Sequence, residues 1–140
     1  TVTGMQYKAA EGFTLAFQNG WDKEAYTNGK IWQVATLRPG KYRLEVTYAY
    51  TMVVSDAGNF ISALMAKGNS ESDIPNVADI EQLNGVCAIY DKAGTNDDSG
   101  VLVTPSFEVT ETTDVVIGFL TSLAKGNSYF KVTELKLILE

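Results

Sequence analysis

Lys41-Tyr42-Arg43-Leu44-Glu45-Val46-Thr47-Tyr48-Ala49-Tyr50-Thr51-Met52-Val53-Val54 is the stretch that decides the fold. Tyr42, Leu44, Val46, Tyr48, Tyr50 and Met52 alternate with Arg43, Glu45, Thr47, Ala49 and Thr51. A period of two is the signature of a long strand with one buried face. Tyr48 and Tyr50 fall on the apolar side, so they either pack in the core or, if the strand outruns the opposing sheet, line a concave surface. Upstream, Lys30 to Leu37 reads as another strand. Arg38-Pro39-Gly40-Lys41 puts Pro and then Gly at the central positions of a turn. Pro presets φ and Gly accepts φ > 0, which suits a type II turn, so the two strands are expected to form a hairpin. Trp32 and Val34 share one face of the earlier strand and are expected in the core.

Working outward, Asn59 to Lys67 and Gly85 to Tyr90 are apolar at both parities, as in central strands covered on two sides. Between them, Val77, Ile80 and Leu83 recur at helical spacing ahead of Asn84-Gly85, which predicts one short helix over 75–83. Val101 to Val109 and Thr113 to Leu123 read as strands, joined through Thr110-Glu111-Thr112, and Phe13, Leu15 and Phe17 mark an early one. Lys92 to Gly100 is a polar loop between Tyr90 and Val101, and Gly94 to Gly100 within it reads as a solvated hairpin tip. In the last segment Phe130 and Val132 are apolar at even positions, but Leu135, Leu137 and Leu139 at odd ones. A one-residue slip would expose half the strand, so a β-bulge is expected near Thr133-Glu134. Short strands, Gly-bearing turns and one helix predict an all-β, two-sheet antiparallel β-sandwich with Tyr42, Leu44, Val46, Phe119, Leu135 and Leu137 between the sheets.

Composition narrows the functions. The 140 residues are 45% hydrophobic with three prolines, enough for one domain spanning 1–140 with a core of its own. Eleven Lys and Arg against seventeen Asp and Glu give a net charge of −6, with no basic stripe, so nucleic acid is not an expected partner. No apolar run approaches the ~20 residues of a membrane-spanning helix. The absence of histidine removes the commonest zinc ligand and the usual general base, which excludes Ser-His-Asp and His-zinc chemistry. The remaining route to catalysis is a carboxylate pair, but the carboxylates are scattered, and an enzyme is not expected. The single cysteine, Cys87, lies in Val86-Cys87-Ala88-Ile89 and reads as a small buried thiol. The chain opens at Thr1, as a segment excised from a larger secreted or surface protein would.

The run Asn28-Gly29-Lys30-Ile31-Trp32-Gln33-Val34-Ala35-Thr36-Leu37-Arg38-Pro39-Gly40-Lys41-Tyr42-Arg43-Leu44 resembles a pattern of galactose-binding-like jelly rolls. There an aromatic or aliphatic residue and Gln precede a strand ending in Pro-Ala/Ser-Gly, and Tyr-x-Leu/Phe opens the next. Val115 to Phe119, followed by Phe130 to Leu137, is similar to the C-terminal strand pair of that superfamily. More narrowly, Trp21 ahead of Asn28-Gly29-Lys30-Ile31, with Ala66-Lys67-Gly68 and Ile74-Pro75 after it, resembles domains of Bacteroidetes surface lipoproteins that accompany polysaccharide-utilisation systems. The resemblance spans roughly residues 12 to 139. It implies a jelly roll, a place on the bacterial outer surface, and a signal peptide and lipid anchor upstream. It also implies either a glycan ligand or a purely structural, attachment role, since members of the superfamily do both.

Sugar-binding sandwiches stack exposed aromatic faces on pyranose C–H surfaces and place amides or charges beside them for the hydroxyls. Trp21, Asp22, Tyr26 and Asn28 supply that mixture in what reads as one loop before Lys30, and on the long strand Tyr50 or Tyr48 could join them if the strand outruns the opposing sheet, Tyr50 being taken as the candidate. The alternative for Trp21 is a cap on the edge of the core. A structural calcium is common in the superfamily, and Glu11 and Glu134 are the residues that match, but no Asp or Asn cluster surrounds them and no metal or other cofactor is expected. Gly94 to Gly100 is rich in oxygen ligands yet lacks EF-hand spacing. The expectation is a non-catalytic carbohydrate-binding module with a glycan as partner, or a spacer with no ligand of its own.

Overall fold

A computed structural model of the chain describes residues 4–7, 15–19, 25–53, 58–92, 94, 96–124 and 128–140. Among the described residues, ten strands form two antiparallel sheets. The first sheet has the order β1 (Gly4–Tyr7), β2 (Leu15–Asn19), β10 (Ser128–Leu139), β4 (Gly40–Thr51), β7 (Asp98–Val103), with β8 (Phe107–Val109) also on β4. In the second the order is β3 (Tyr26–Leu37), β9 (Thr113–Leu123), β5 (Phe60–Lys67), β6 (Gly85–Ile89). The all-β sandwich is therefore what the alternating pattern predicted.

The core lies between the sheets in two clusters. One end holds Val46, Tyr48, Phe130 and Val132 of the first sheet against Ile61, Ala63, Phe119 and Leu123 of the second. At the other end, Tyr42, Leu44, Phe107 and Val109 meet Leu37, Met65, Val115 and Ile117. A third cluster explains why β5 and β9 are apolar at both parities: Leu64, Val116 and Leu120 face outward and are covered by Ile74, Val77, Ile80 and Leu83. That covering segment is not an α-helix but two 3-10 pieces, Glu71–Asp73 and Val77–Gln82. Its apolar spacing of three fits three residues per turn as well as it fits an α-helix.

The expected hairpin is overturned. β3 pairs with β9, whereas β4 pairs with β10, β7 and β8, so Arg38-Pro39 carries the chain from one sheet to the other. Local turn chemistry reports that a chain reverses, not which sheet receives it. Gly40 does not have positive φ either. It is small because a Cβ there would meet Leu139 Cδ1 at 2.8 Å, and the corner is closed by the Tyr42 hydroxyl donating to Arg38 O at 2.7 Å.

Other corrections follow from where edges fall. β3 is an edge strand, and Trp32 and Val34 lie on its outer side, 38% and 41% exposed, rather than in the core. β6 is the opposite edge rather than central. The 101–109 strand is broken at Thr104, whose hydroxyl accepts the Leu44 N–H at 2.9 Å while its own N–H reaches Leu44 O, bridging β7 to β8 before Pro105. The bulge predicted in the last strand is present between Val132 and Glu134. Leu135 packs on the core, but Leu137 is 38% exposed. β2 pairs only as far as Val132, so among the described residues no strand covers that flank of β10.

Candidate functional site

One end of the sandwich collects the irregular backbone. Two register shifts lie there, between Tyr26 and Gly29 in β3 and between Tyr48 and Thr51 in β4. So do the three described non-glycine residues with positive φ: Asn28 at 54°, Tyr50 at 52° and Asp97 at 56°. Side chains of L-residues crowd the backbone in this region, and such strain persists where the surroundings impose it.

Of the residues singled out in the sequence, Trp21 and Asp22 lie outside the described residues. Tyr26 and Asn28 belong to β3 rather than to a loop. The Tyr26 ring packs against the core and its hydroxyl donates to Thr121 Oγ1 at 3.2 Å. Burial pushes its phenol above the ordinary tyrosine range, partly offset by that hydrogen bond. Asn28 Oδ1 accepts the Val77 N–H at 2.8 Å, and its own N–H donates to Ser122 Oγ at 2.9 Å. With Lys30, whose amine reaches Ile74 O at 2.7 Å, Asn28 ties the 3-10 segment to β3.

Tyr50 stands apart. Periodicity put it on the buried side with Tyr48, but the bulge inserts one residue, and Thr51 takes the inward position with no exposure. Tyr50 turns outward, 65% exposed, with Lys131 Nζ 5.6 Å from its ring centroid. The pairing of β10 with β4 brings Lys131 and Tyr50 together, whereas Tyr26 and Asn28 belong to β3 of the other sheet.

Beneath this surface, Tyr48, Tyr90 and Phe130 form a ring cluster with centroids 5.1 to 5.2 Å apart. The Tyr90 hydroxyl donates to Asp98 Oδ2 at 2.7 Å, and Lys92 Nζ lies 3.7 Å from the same oxygen. Lys92 is held above the ordinary lysine range, first by Tyr48 and then by Asp98. Sequence reading passed over this group because 92–100 looked like a polar loop with a solvated tip at 94–100. The apolar run ending in Tyr90 was the available sign that the connection is anchored.

A concavity of about 470 Å³ lies between β3 and the β10 bulge and is lined by Gln33, Thr133, Glu134 and Leu135, with no aromatic face. Glu134 pairs with Lys136 at 3.5 Å, while Glu11 is outside the described residues. Among the described residues no group of three or more His, Cys, Asp or Glu is arranged to hold a metal ion. Cys87 is half-buried beside the outer cluster, and burial raises its thiol pKa, which disfavours the reactive thiolate. No helix among the described residues is long and apolar enough to cross a membrane.

The model of a family described as a domain of unknown function, DUF5013, matches residues 2–118 of the 140. The chain belongs to this family. In this DUF5013 domain the match runs from ahead of β1 into β9 and so includes Tyr50, Lys92 and Asp98, while β10 with Lys131 lies beyond it. No curated protein matches the chain.

Proposed function

We propose that this domain is a non-catalytic carbohydrate-binding module of a bacterial cell-surface protein, with Tyr50 as the stacking residue. The reading rests chiefly on one observation: a tyrosine 65% exposed, turned out by a bulge and kept at φ 52°. Retaining a costly backbone conformation that presents an aromatic face to solvent fits a ligand-binding role. The Lys131 amine beside the ring supplies a hydrogen-bond donor for sugar hydroxyls. The jelly-roll, galactose-binding-like ancestry and the Bacteroidetes polysaccharide-utilisation setting implied by the sequence resemblance agree with a glycan partner. A place outside the cell and an upstream lipid anchor belong to the same proposal.

The test is a glycan-array screen of the purified domain, followed by titration of a hit against Tyr50→Ala. Loss of an aromatic stacking partner is expected to weaken binding at least tenfold, with melting temperature little changed. A hit bound equally by wild type and variant would remove Tyr50 from the site. No binding by the wild type would favour a structural spacer.

A further inference from the structure

The bulge that turns Tyr50 outward is closed on both sides. Tyr48 pairs with Val132 ahead of it, and just past β4 Met52 and Tyr129 exchange both backbone hydrogen bonds, at 3.0 and 2.7 Å. Residues 49–51 of β4 therefore face only 130 and 131 of β10. The register of β10 with β2 is unbroken from Ser128 to Val132, and Ser128, Phe130 and Val132 are fully buried. Alternation then sets Tyr129 and Lys131 on the outer face of the first sheet, the face onto which Tyr50 turns beside Lys131. Met52, directly opposite Tyr129, shares that face, and all of Met52, Tyr129 and Lys131 are half-buried. Tyr50 and Tyr129 thus stand on adjacent strands of one surface, two positions apart along them, a diagonal of about 7–8 Å. The same face continues through the Thr47–Val101 pair, where Val101 is 52% exposed.

We propose that Tyr129 is a second stacking platform beside Tyr50, so that the ligand is the interior of an extended, equatorially linked polysaccharide lying across the outer face of the first sheet. This rests on the Tyr50 reading above. Two rings at that separation are further apart than a single pyranose covers, so each takes its own sugar. A chain whose linkages are all equatorial runs as a flat ribbon with C–H groups on both faces, and it meets two platforms that rise from one surface. A chain with axial linkages coils, and leaves the second platform bare. The open sheet face lets the ribbon pass beyond both rings, whereas recognition of a chain end takes a pocket that encloses the terminal sugar. Lys131, between the two tyrosines in the register, carries donors for hydroxyls on the edge of the ribbon.

The probes are cello-, xylo- and manno-oligosaccharides of one to six units, titrated calorimetrically into the whole chain, with malto-oligosaccharides as the axially linked comparison. At least one equatorial series is expected to bind, tighter for the tetramer than for the monomer by about tenfold or more. Tyr129→Ala should weaken tetramer binding by about fivefold, the worth of one aromatic contact. Tyr129→Ile keeps apolar bulk and strand preference while removing the ring, and it gives the same reading should the alanine variant unfold. Trp32→Ala, which takes an exposed ring from the other sheet, should leave affinity unchanged. If the folded Tyr129 variants bind as the wild type does while Tyr50→Ala loses binding, the second platform is wrong and the Tyr50 reading stands. A monosaccharide bound as tightly as the tetramer, or a preference for the malto series, overturns the extended-chain class. A loss on Trp32→Ala equal to that on Tyr129→Ala takes the ligand off this face. No binding of any probe by the wild type overturns the stacking reading together with the second platform.

Discussion

At the scale of single residues, strain separates two uses of the left-handed region. Asn28 is a residue type that tolerates φ of 54°, and its side chain satisfies the N-terminal end of the second 3-10 piece through Val77 N–H. Asn28→Gly should cost about 1 kcal/mol, the worth of the lost hydrogen bond, and Asn28→Ala should cost more because the backbone strain is added. Denaturant unfolding of the two variants checks the order, and equal losses would mean that the conformation itself carries no cost. Tyr50, by contrast, makes no use of its positive φ for packing. Tyr50→Gly should leave stability unchanged or raise it by up to about 1 kcal/mol, since glycine adopts φ of 52° without crowding, while glycan affinity falls. A marked destabilisation would show that the exposed ring supports the fold instead. Both residues are visible in the sequence as an Asn-Gly and a Tyr in an alternating run, but their conformations come from register shifts that no local pattern reports.

At the scale of elements, the segment from Gly68 to Leu83 shows how a polar turn is fastened to an apolar face. Asp73 Oδ2 accepts the Asn69 N–H at 2.9 Å, the Ser70 N–H at 3.0 Å and the Ser70 hydroxyl at 3.2 Å. A side chain on Gly68, at φ 138°, would collide with that carboxylate, so the turn needs glycine there. These hydrogen bonds, Ser70 N–H first among them, lower the Asp73 pKa below its ordinary value of 3.8. The stabilisation is present above about pH 4, where the unfolded chain is also ionised, and is lost as pH falls through the lowered folded value. Asp73→Asn should therefore flatten the acid limb of melting temperature against pH while leaving the shape near pH 7 alone. An unaltered acid limb would place the pH dependence in other carboxylates. The 3-10 geometry was out of reach of sequence reading, because apolar residues three apart fit both helix types, yet the burial of Ile74, at 1% exposure, under this turn explains the double-sided apolar pattern of β5 and β9.

At the scale of the whole molecule, the two sheets are joined through side chains contributed by both, and the Tyr48–Tyr90–Phe130 rings link that interface to the rim that carries Tyr50, Lys92 and Asp98. Phe130, with no exposure, is the largest fully buried side chain among the described residues, and Phe130→Ala should cost about 3–5 kcal/mol by the cavity it leaves. Its effect on unfolding should also reach the rim, so glycan affinity in a still-folded variant should drop without any contact being removed. Unchanged affinity would show that the rim is held independently of the core. The sequence by itself determined the fold class and the identity of most strands, including the bulge in the last one, because alternation and its phase slip are local properties of the chain. It also determined that none of these 140 residues is a histidine. Only the tertiary structure decided that β3 and β4 part into different sheets, that Trp32 faces outward on an edge, and that Tyr50 leaves the buried face to stand beside Lys131. Those outcomes depend on pairings between residues some 50 to 90 positions apart, such as Thr51 with Asp98 and Thr47 with Glu134, and contacts at that separation leave no periodic trace in the sequence.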